Sequence, residues 1–101
     1  EIMFTATRIN AEEAARIGLI NRVIPSADLE STVRKMAMTI ANNAPLSVNA
    51  SKVTIKEVLK DAGERDMKNL AQIGKTCFDS ADYAEGRQSF MEKREPVFVG
   101  R

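Results

Sequence analysis

The chain has 101 residues, 44% of them apolar and 29% charged, which suits one small globular domain and is short for two. Its 15 basic and 14 acidic residues leave a net charge of +1, so neither nucleic acid nor an anionic membrane surface finds an electrostatic footprint on it. The absence of histidine excludes a Ser-His-Asp triad and a His-based zinc site, and a single cysteine excludes an intrachain disulfide.

In chain order, Glu1–Phe4 reads as the end of a helix. Asn10 lies three residues before Glu13, the spacing of a reciprocal capping box. A short helix is expected to follow through Ala14, Ala15 and Ile17, and Gly18 suits the left-handed position that stops it. Leu19–Ile24 looks extended, and Pro25 bars it from a central strand. Ser26 or Asp28 is placed to cap the next helix, whose Leu29, Val33, Met36, Ala37, Ile40 and Ala41 recur at steps of three and four. Ala44 precedes a proline and is pushed out of the helical region, while Pro45 suits the first turn of a new helix.

That helix is expected to run to about Asp61 with Leu46, Ala50, Val53 and Leu59 inward, and Gly63 breaks it. From Glu64 a further helix sets Met67, Leu70, Ala71, Gly74, Cys77 and Phe78 on one face. Ser80 or Asp82 caps a last helix carrying Tyr83, Gly86 and Phe90, which Pro96 terminates. The fold class is therefore mostly α, with at most one short strand. A single core is marginal at this length, because the buried fraction of surface falls with size. Some of the apolar stripes are expected to face something outside the chain.

Individual reactive groups are scarce. Cys77 falls on an apolar face, where a free cysteine behaves as a small buried hydrophobe, and no histidine is present to activate it. It is in keeping with a reducing compartment, and a cytoplasmic location is expected. Glu12, Glu13, Glu57, Glu64, Glu85 and Glu92 read as solvated helix faces or caps. There is no Gly-rich phosphate loop, no CxxC and no metal cluster, so metal ligands are expected to be none. No apolar run approaches the ~20 residues of a membrane span.

The strongest pattern is at the end of the chain. Phe78, Ser80, Asp82, Glu85-Gly86, Phe90, Glu92-Lys93-Arg94, Pro96, Phe98 and Gly100-Arg101 stand at the spacing Phe-x-Ser-x-Asp-x-x-Glu-Gly-x-x-x-Phe-x-Glu-Lys-Arg-x-Pro-x-Phe-x-Gly-Arg. This resembles the closing segment of the enoyl-CoA hydratase/isomerase (crotonase) family. The stretch Phe4–Pro25 resembles another part of it, Phe-Thr-Gly-x-x-Ile-x-Ala-x-Glu-Ala-x-x-x-Gly-Leu-Val-Asn-x-Val-x-Pro. Ala6 stands where the family often has glycine, at what the resemblance implies is a turn near the acyl pocket, which weakens inference about the substrate, and Ile20 replaces valine. Ala44-Pro45 and Lys52 also match similar members.

The resemblance implies that residues 1–101 form the helical C-terminal region of a crotonase-like (ClpP/crotonase) fold, serving trimerisation and contact with coenzyme A. The spiral catalytic core, with its oxyanion hole and acid/base glutamates, would lie upstream. No catalytic residue is assigned here, and the chain alone is expected to be inactive. The intact enzyme would act on acyl-CoA thioesters, most simply by hydrating a 2-enoyl-CoA, with coenzyme A entering as part of the substrate and no covalently bound cofactor. It would be a homo-oligomer, a trimer or hexamer, with neither nucleic acid nor membrane as partner.

Phe90 and Lys93 are the residues implied at the adenine and phosphate end of CoA: an aromatic face packs against a base, and an ammonium is a compact phosphate partner. Their spacing of three would put them on one side of a helix. Arg87 and Arg94 lie nearby, with Glu85, Glu92 and Glu95 close enough to neutralise them. Gly86 reads as a close packing point, and Gly100-Arg101 matches the family's end, implying an intact natural C-terminus. The alternative is a stand-alone helical interaction module without catalytic activity.

Overall fold

The computed structural model describes residues 1–101 and contains six α-helices and no strand: α1 (Ile2–Thr5), α2 (Ala11–Arg16), α3 (Leu29–Ala41), α4 (Pro45–Val58), α5 (Met67–Phe78) and α6 (Ala81–Glu92). Two compact units are present, Glu1–Lys35 and Met36–Arg101, with α3 contributing to both.

In the first unit, Asn10 Oδ1 accepts the Glu13 N–H at 2.8 Å and starts α2. The capping box is only half formed, because the Glu13 carboxylate turns to Arg16 instead, at 2.6 and 2.7 Å. Gly18 takes the left-handed conformation, φ 77°, and the Leu19 N–H reaches back to the Ala14 carbonyl. Leu19–Ile24 pairs with no strand and leaves Leu19, Ile20 and Val23 exposed. Ser26–Asp28 is a 3₁₀ turn leading into α3. Ala6, directly after α1, sits at φ 51°. A Cβ there costs roughly 1–2 kcal/mol, which glycine at that position would avoid.

The second unit is built on a hairpin of α4 and α5, with α6 beside α5. Pro45 opens α4 as its spacing predicts. Leu46, Ala50 and Val53 are half-buried, and the residue continuing their stripe is Glu57, 7% exposed. Leu59, expected inward, is exposed: its backbone is still helical, but two residues beyond Glu57 it faces away from the stripe of Leu46, Ala50, Val53 and Glu57. Glu57 accepts the Lys60 ammonium at 2.6 Å and the Asp66 N–H at 2.9 Å, so it ties the end of α4 to the start of α5. These contacts, Lys60 first, hold its carboxyl below the usual range. Arg65 donates to the Val58 and Lys60 carbonyls, left over at the end of α4. Asp66 caps α5, which starts at Met67, three residues later than its sequence suggests. Leu70, Gly74 and Cys77 are half-buried as expected, whereas Met67, Ala71 and Phe78 are exposed.

The apolar core is small. Ala14 is the sole buried hydrophobic residue and no side chain is fully buried. The α3 stripe is bare: Leu29, Val33, Met36 and Ile40 are all exposed. Two separately compact globules of these sizes would together expose about 6,800 Å² by the scaling of surface with mass, whereas the chain exposes 8726 Å². No helix is long and apolar enough to cross a membrane.

Candidate functional site

The site grows out of the way the tail is fastened to α6. Ser80 Oγ accepts the Tyr83 N–H at 3.0 Å and caps this helix. The two residues after it are then free to serve the tail. Asp82, 3% exposed, accepts the N–H groups of Val99 and Gly100 at 2.7 and 2.9 Å. In return the Arg101 carbonyl accepts from Ala81 and Asp82 N–H at 2.8 and 3.3 Å. Gly100 adopts φ 77°, a conformation that glycine takes without strain. The result is a reciprocal clasp between the first turn of α6 and the end of the chain.

A second fastening lies one turn further along. Glu85 accepts the Arg94 guanidinium through both oxygens, at 2.6 and 2.9 Å, and the Val97 N–H at 2.9 Å. The Arg94 contact first, then the Val97 bond, pull its carboxyl down to about 2. Arg94 also donates to Glu92 at 2.6 Å, and its own pKa is raised by the two carboxylates. Glu92 in turn accepts from Gln88 at 2.9 Å, and its carboxyl is lowered by Gln88 and Arg94. Glu57 and Glu85 are therefore structural acceptors, not the solvated faces their surface-like sequence context suggests.

The clasp holds Phe98 half-buried, with its ring opposite Gly86, where an added Cβ would meet it at 3.6 Å. That is ordinary contact, so Gly86 is a packing neighbour of the tail without being sterically required. Between these elements lies an open cavity of about 530 Å³, lined mainly by Phe78, Tyr83, Gly86, Arg87, Phe90 and Phe98, with Cys77 at its wall. Phe78 and Tyr83 meet edge to face, centroids 5.2 Å apart. No group of three or more acidic, Cys or His side chains converges to hold a metal.

Of the two residues singled out from the sequence, Phe90 lines this cavity and is 85% exposed. It is no core residue of the chain. Lys93 lies just beyond α6, not on it, so a shared helical face does not relate the pair. Lys93 sits at φ 55°, ψ 40°, with its N–H on the Phe90 carbonyl and the Arg94 N–H on the Ser89 carbonyl. This is the closing turn in which glycine is usual, and a Cβ there costs roughly 1–2 kcal/mol. Its ammonium has no ion pair: Glu85 and Glu92 both go to Arg94, and Glu95 does not reach it. Arg87, like Phe90, lines the cavity and is unpaired, which separates it from Arg94. Asp82 and Glu85 are the residues whose importance the sequence reading missed, although both are fixed positions of the closing pattern.

Comparison with known proteins agrees with this architecture. The family model for enoyl-CoA hydratase/isomerase matches residues 1–101, and the chain belongs to that family. It is 37% identical to a methylmalonyl-CoA decarboxylase from Escherichia coli (strain K12) over 99% of its length and 39% of the relative's. It is 36% identical to a crotonyl-CoA hydratase from Syntrophomonas wolfei over 100% of its length and 39% of the relative's. Among solved structures, an enoyl-CoA hydratase from Mycobacterium tuberculosis H37Rv superposes with a TM-score of 0.84 at 26% identity, over 97% of this chain and 39% of that one. The chain thus spans about two fifths of the length of these relatives and shares the fold of that portion.

Proposed function

We propose that the chain is the C-terminal helical region of an acyl-CoA-processing enzyme, most simply a 2-enoyl-CoA hydratase, and that Phe90 and Lys93 take the adenine and phosphate end of coenzyme A. One observation carries this reading. Nearly every fixed residue of the closing pattern has structural work within the chain: Ser80 caps α6, Asp82 and Arg101 close the clasp, Glu85 and Arg94 pair, and Phe98 faces Gly86. Among the fixed charged and aromatic side chains, those of Phe90, Lys93 and Arg101 find no such partner; of these, Phe90 lines the cavity and Lys93 follows it by three residues in a strained left-handed backbone. An exposed ring with an unpaired ammonium three residues on suits a phosphorylated nucleoside.

The two sequence relatives are, by name, a decarboxylase and a hydratase of CoA thioesters. Hydration is the simplest choice for this chain, with the oxyanion hole and acid/base groups supplied upstream. The bare apolar faces suit burial against that catalytic portion and against neighbouring subunits of a homo-oligomer. A stand-alone interaction module is disfavoured by the same surface, which is larger than two compact globules of these sizes would expose.

The test is CoA affinity by calorimetry in the protein with whatever flanking sequence it carries, comparing wild type with Phe90→Ala and Lys93→Ala. Each substitution is expected to weaken binding by about tenfold, the scale of one charge-assisted or stacking contact. Unchanged affinity in both would reject the assignment. Hydration of a short 2-enoyl-CoA by residues 1–101 alone would overturn the placement of the chemistry upstream.

A further inference from the structure

The last residue of α6 and the turn after it carry four consecutive charges, Glu92, Lys93, Arg94 and Glu95, yet their pairing is sharply uneven. Arg94 takes two of the three nearby carboxylates, Glu85 as a two-pronged partner at 2.6 and 2.9 Å and Glu92 at 2.6 Å, and adds the Glu95 carbonyl at 3.2 Å, while the Glu95 carboxylate pairs with neither cation. A guanidinium presents a planar fork of five donors and can satisfy two carboxylates at once, whereas an ammonium is a compact point charge. The contest for Glu92, which Lys93 adjoins in sequence, is therefore won by Arg94. The same contacts fix the backbone. With Glu85 binding both the Arg94 side chain and the Val97 N–H, the residues after Lys93 are tied to α6. The left-handed conformation at Lys93 has no side-chain anchor of its own, so it is imposed from both sides.

We propose that Arg94, held by Glu85 and Glu92, is a positioning residue for Lys93: it locks the left-handed turn and occupies the carboxylates that would otherwise neutralise the ammonium. This rests on the reading of Lys93 as a phosphate ligand. Arg94 itself does not touch the coenzyme; its effect passes through its neighbour. The cationic run near the end of the family pattern thus divides its labour, one charge being spent on geometry so that the other stays available.

The experiment measures CoA affinity by calorimetry in the full chain, with thermal unfolding recorded for each variant. Lys93→Ala tests the underlying reading. Arg94→Gln is expected to weaken CoA binding at least threefold, the lower end of coupling within one hydrogen-bonded network. Glu92→Gln in the Arg94→Gln background removes one carboxylate freed beside Lys93 and is expected to recover part of that loss. Arg94→Gln combined with Lys93→Ala should bind no worse than Lys93→Ala alone.

A merely structural role for Arg94 would show neither the recovery nor the absence of a further loss. If Lys93→Ala binds CoA like wild type, the phosphate reading itself fails. If Lys93→Ala is weakened while Arg94→Gln is not, or if the two losses multiply, the positioning role is overturned and the phosphate reading stands. Should Arg94→Gln fail to fold, Glu85→Gln loosens the turn while leaving Arg94 on Glu92, and the positioning role then requires that it weaken CoA binding in the wild-type background and add no further loss to Lys93→Ala.

Discussion

Replacing Asp82 by alanine tests the clasp that shapes the site. Asp82 is 3% exposed and receives two backbone N–H groups, at 2.7 and 2.9 Å, from residues 17 and 18 positions away. A hydrogen bond to a charged acceptor contributes about 1.5–3 kcal/mol, so two of them set an upper scale of about 3–6 kcal/mol. The real loss is smaller, because the tail can lift away and give its amides to water. What remains to hold it is the Arg101 carbonyl on Ala81 and Asp82, and the Glu85 contacts upstream. A net cost of about 2 kcal/mol for local closure follows, which is roughly a 30-fold fall in protection of the Val99 and Gly100 amides against hydrogen exchange. Asp82→Asn should lie between, since one oxygen survives as acceptor while the other becomes a donor facing an N–H. The assay is residue-resolved amide exchange, with the α4–α5 hairpin as internal control. Undiminished protection at Val99 and Gly100 in Asp82→Ala would show that the carboxylate is not what holds the tail.

Acid should loosen the second fastening: Glu85 is held at about 2, below its ordinary 4.5, so folding favours its ionised form. Its contribution is fully present above about pH 4.5 and is lost as the pH falls towards 2, and a urea-unfolding series across that range should be flatter for Glu85→Gln than for wild type. Lys93→Gly should stabilise the end of α6 by about 0.5–1 kcal/mol by relieving the strained turn, while weakening CoA binding; a destabilised variant would mean the conformation carries no strain. Asn10→Ala should cost α2 about 1 kcal/mol, read as faster exchange of the Glu13 amide that Asn10 accepts.

The helix boundaries were legible wherever a local signal sets them. Asn10, Pro45 and Ser80 act within three residues of themselves, and each occupies the role its spacing predicts. The acidic residues were misread for the opposite reason. Glu57 is joined to an amide nine residues on, Glu85 to one twelve on and Asp82 to two still further away. Helical periodicity carries no information about a tail that folds back, so Glu57 and Glu85 resemble any solvated glutamate and Asp82 resembles a local helix cap. The family pattern did contain the clue, because it fixes Asp82 and Glu85 alongside Arg94 and Gly100. Phe90 and Lys93 stood out only through that pattern, and the structure changes the geometry that relates them.

The apolar stripes show the other limit. Leu29, Val33, Met36 and Ile40 make α3 as clearly amphipathic as a helix of this length can be, yet the chain offers that stripe no cover. Periodicity identifies the side of a helix that is to be buried, but says nothing about what buries it. A helix of 13 residues is marginal in water without a packed face, so the stripe needs a partner if α3 is to persist. On the proposed reading that partner is the catalytic portion or a neighbouring subunit. The same assembly would confine CoA against Phe90, whose ring has little to hold it in the chain alone. Stability and coenzyme binding would then be coupled, because the surfaces that complete the fold would also close the site.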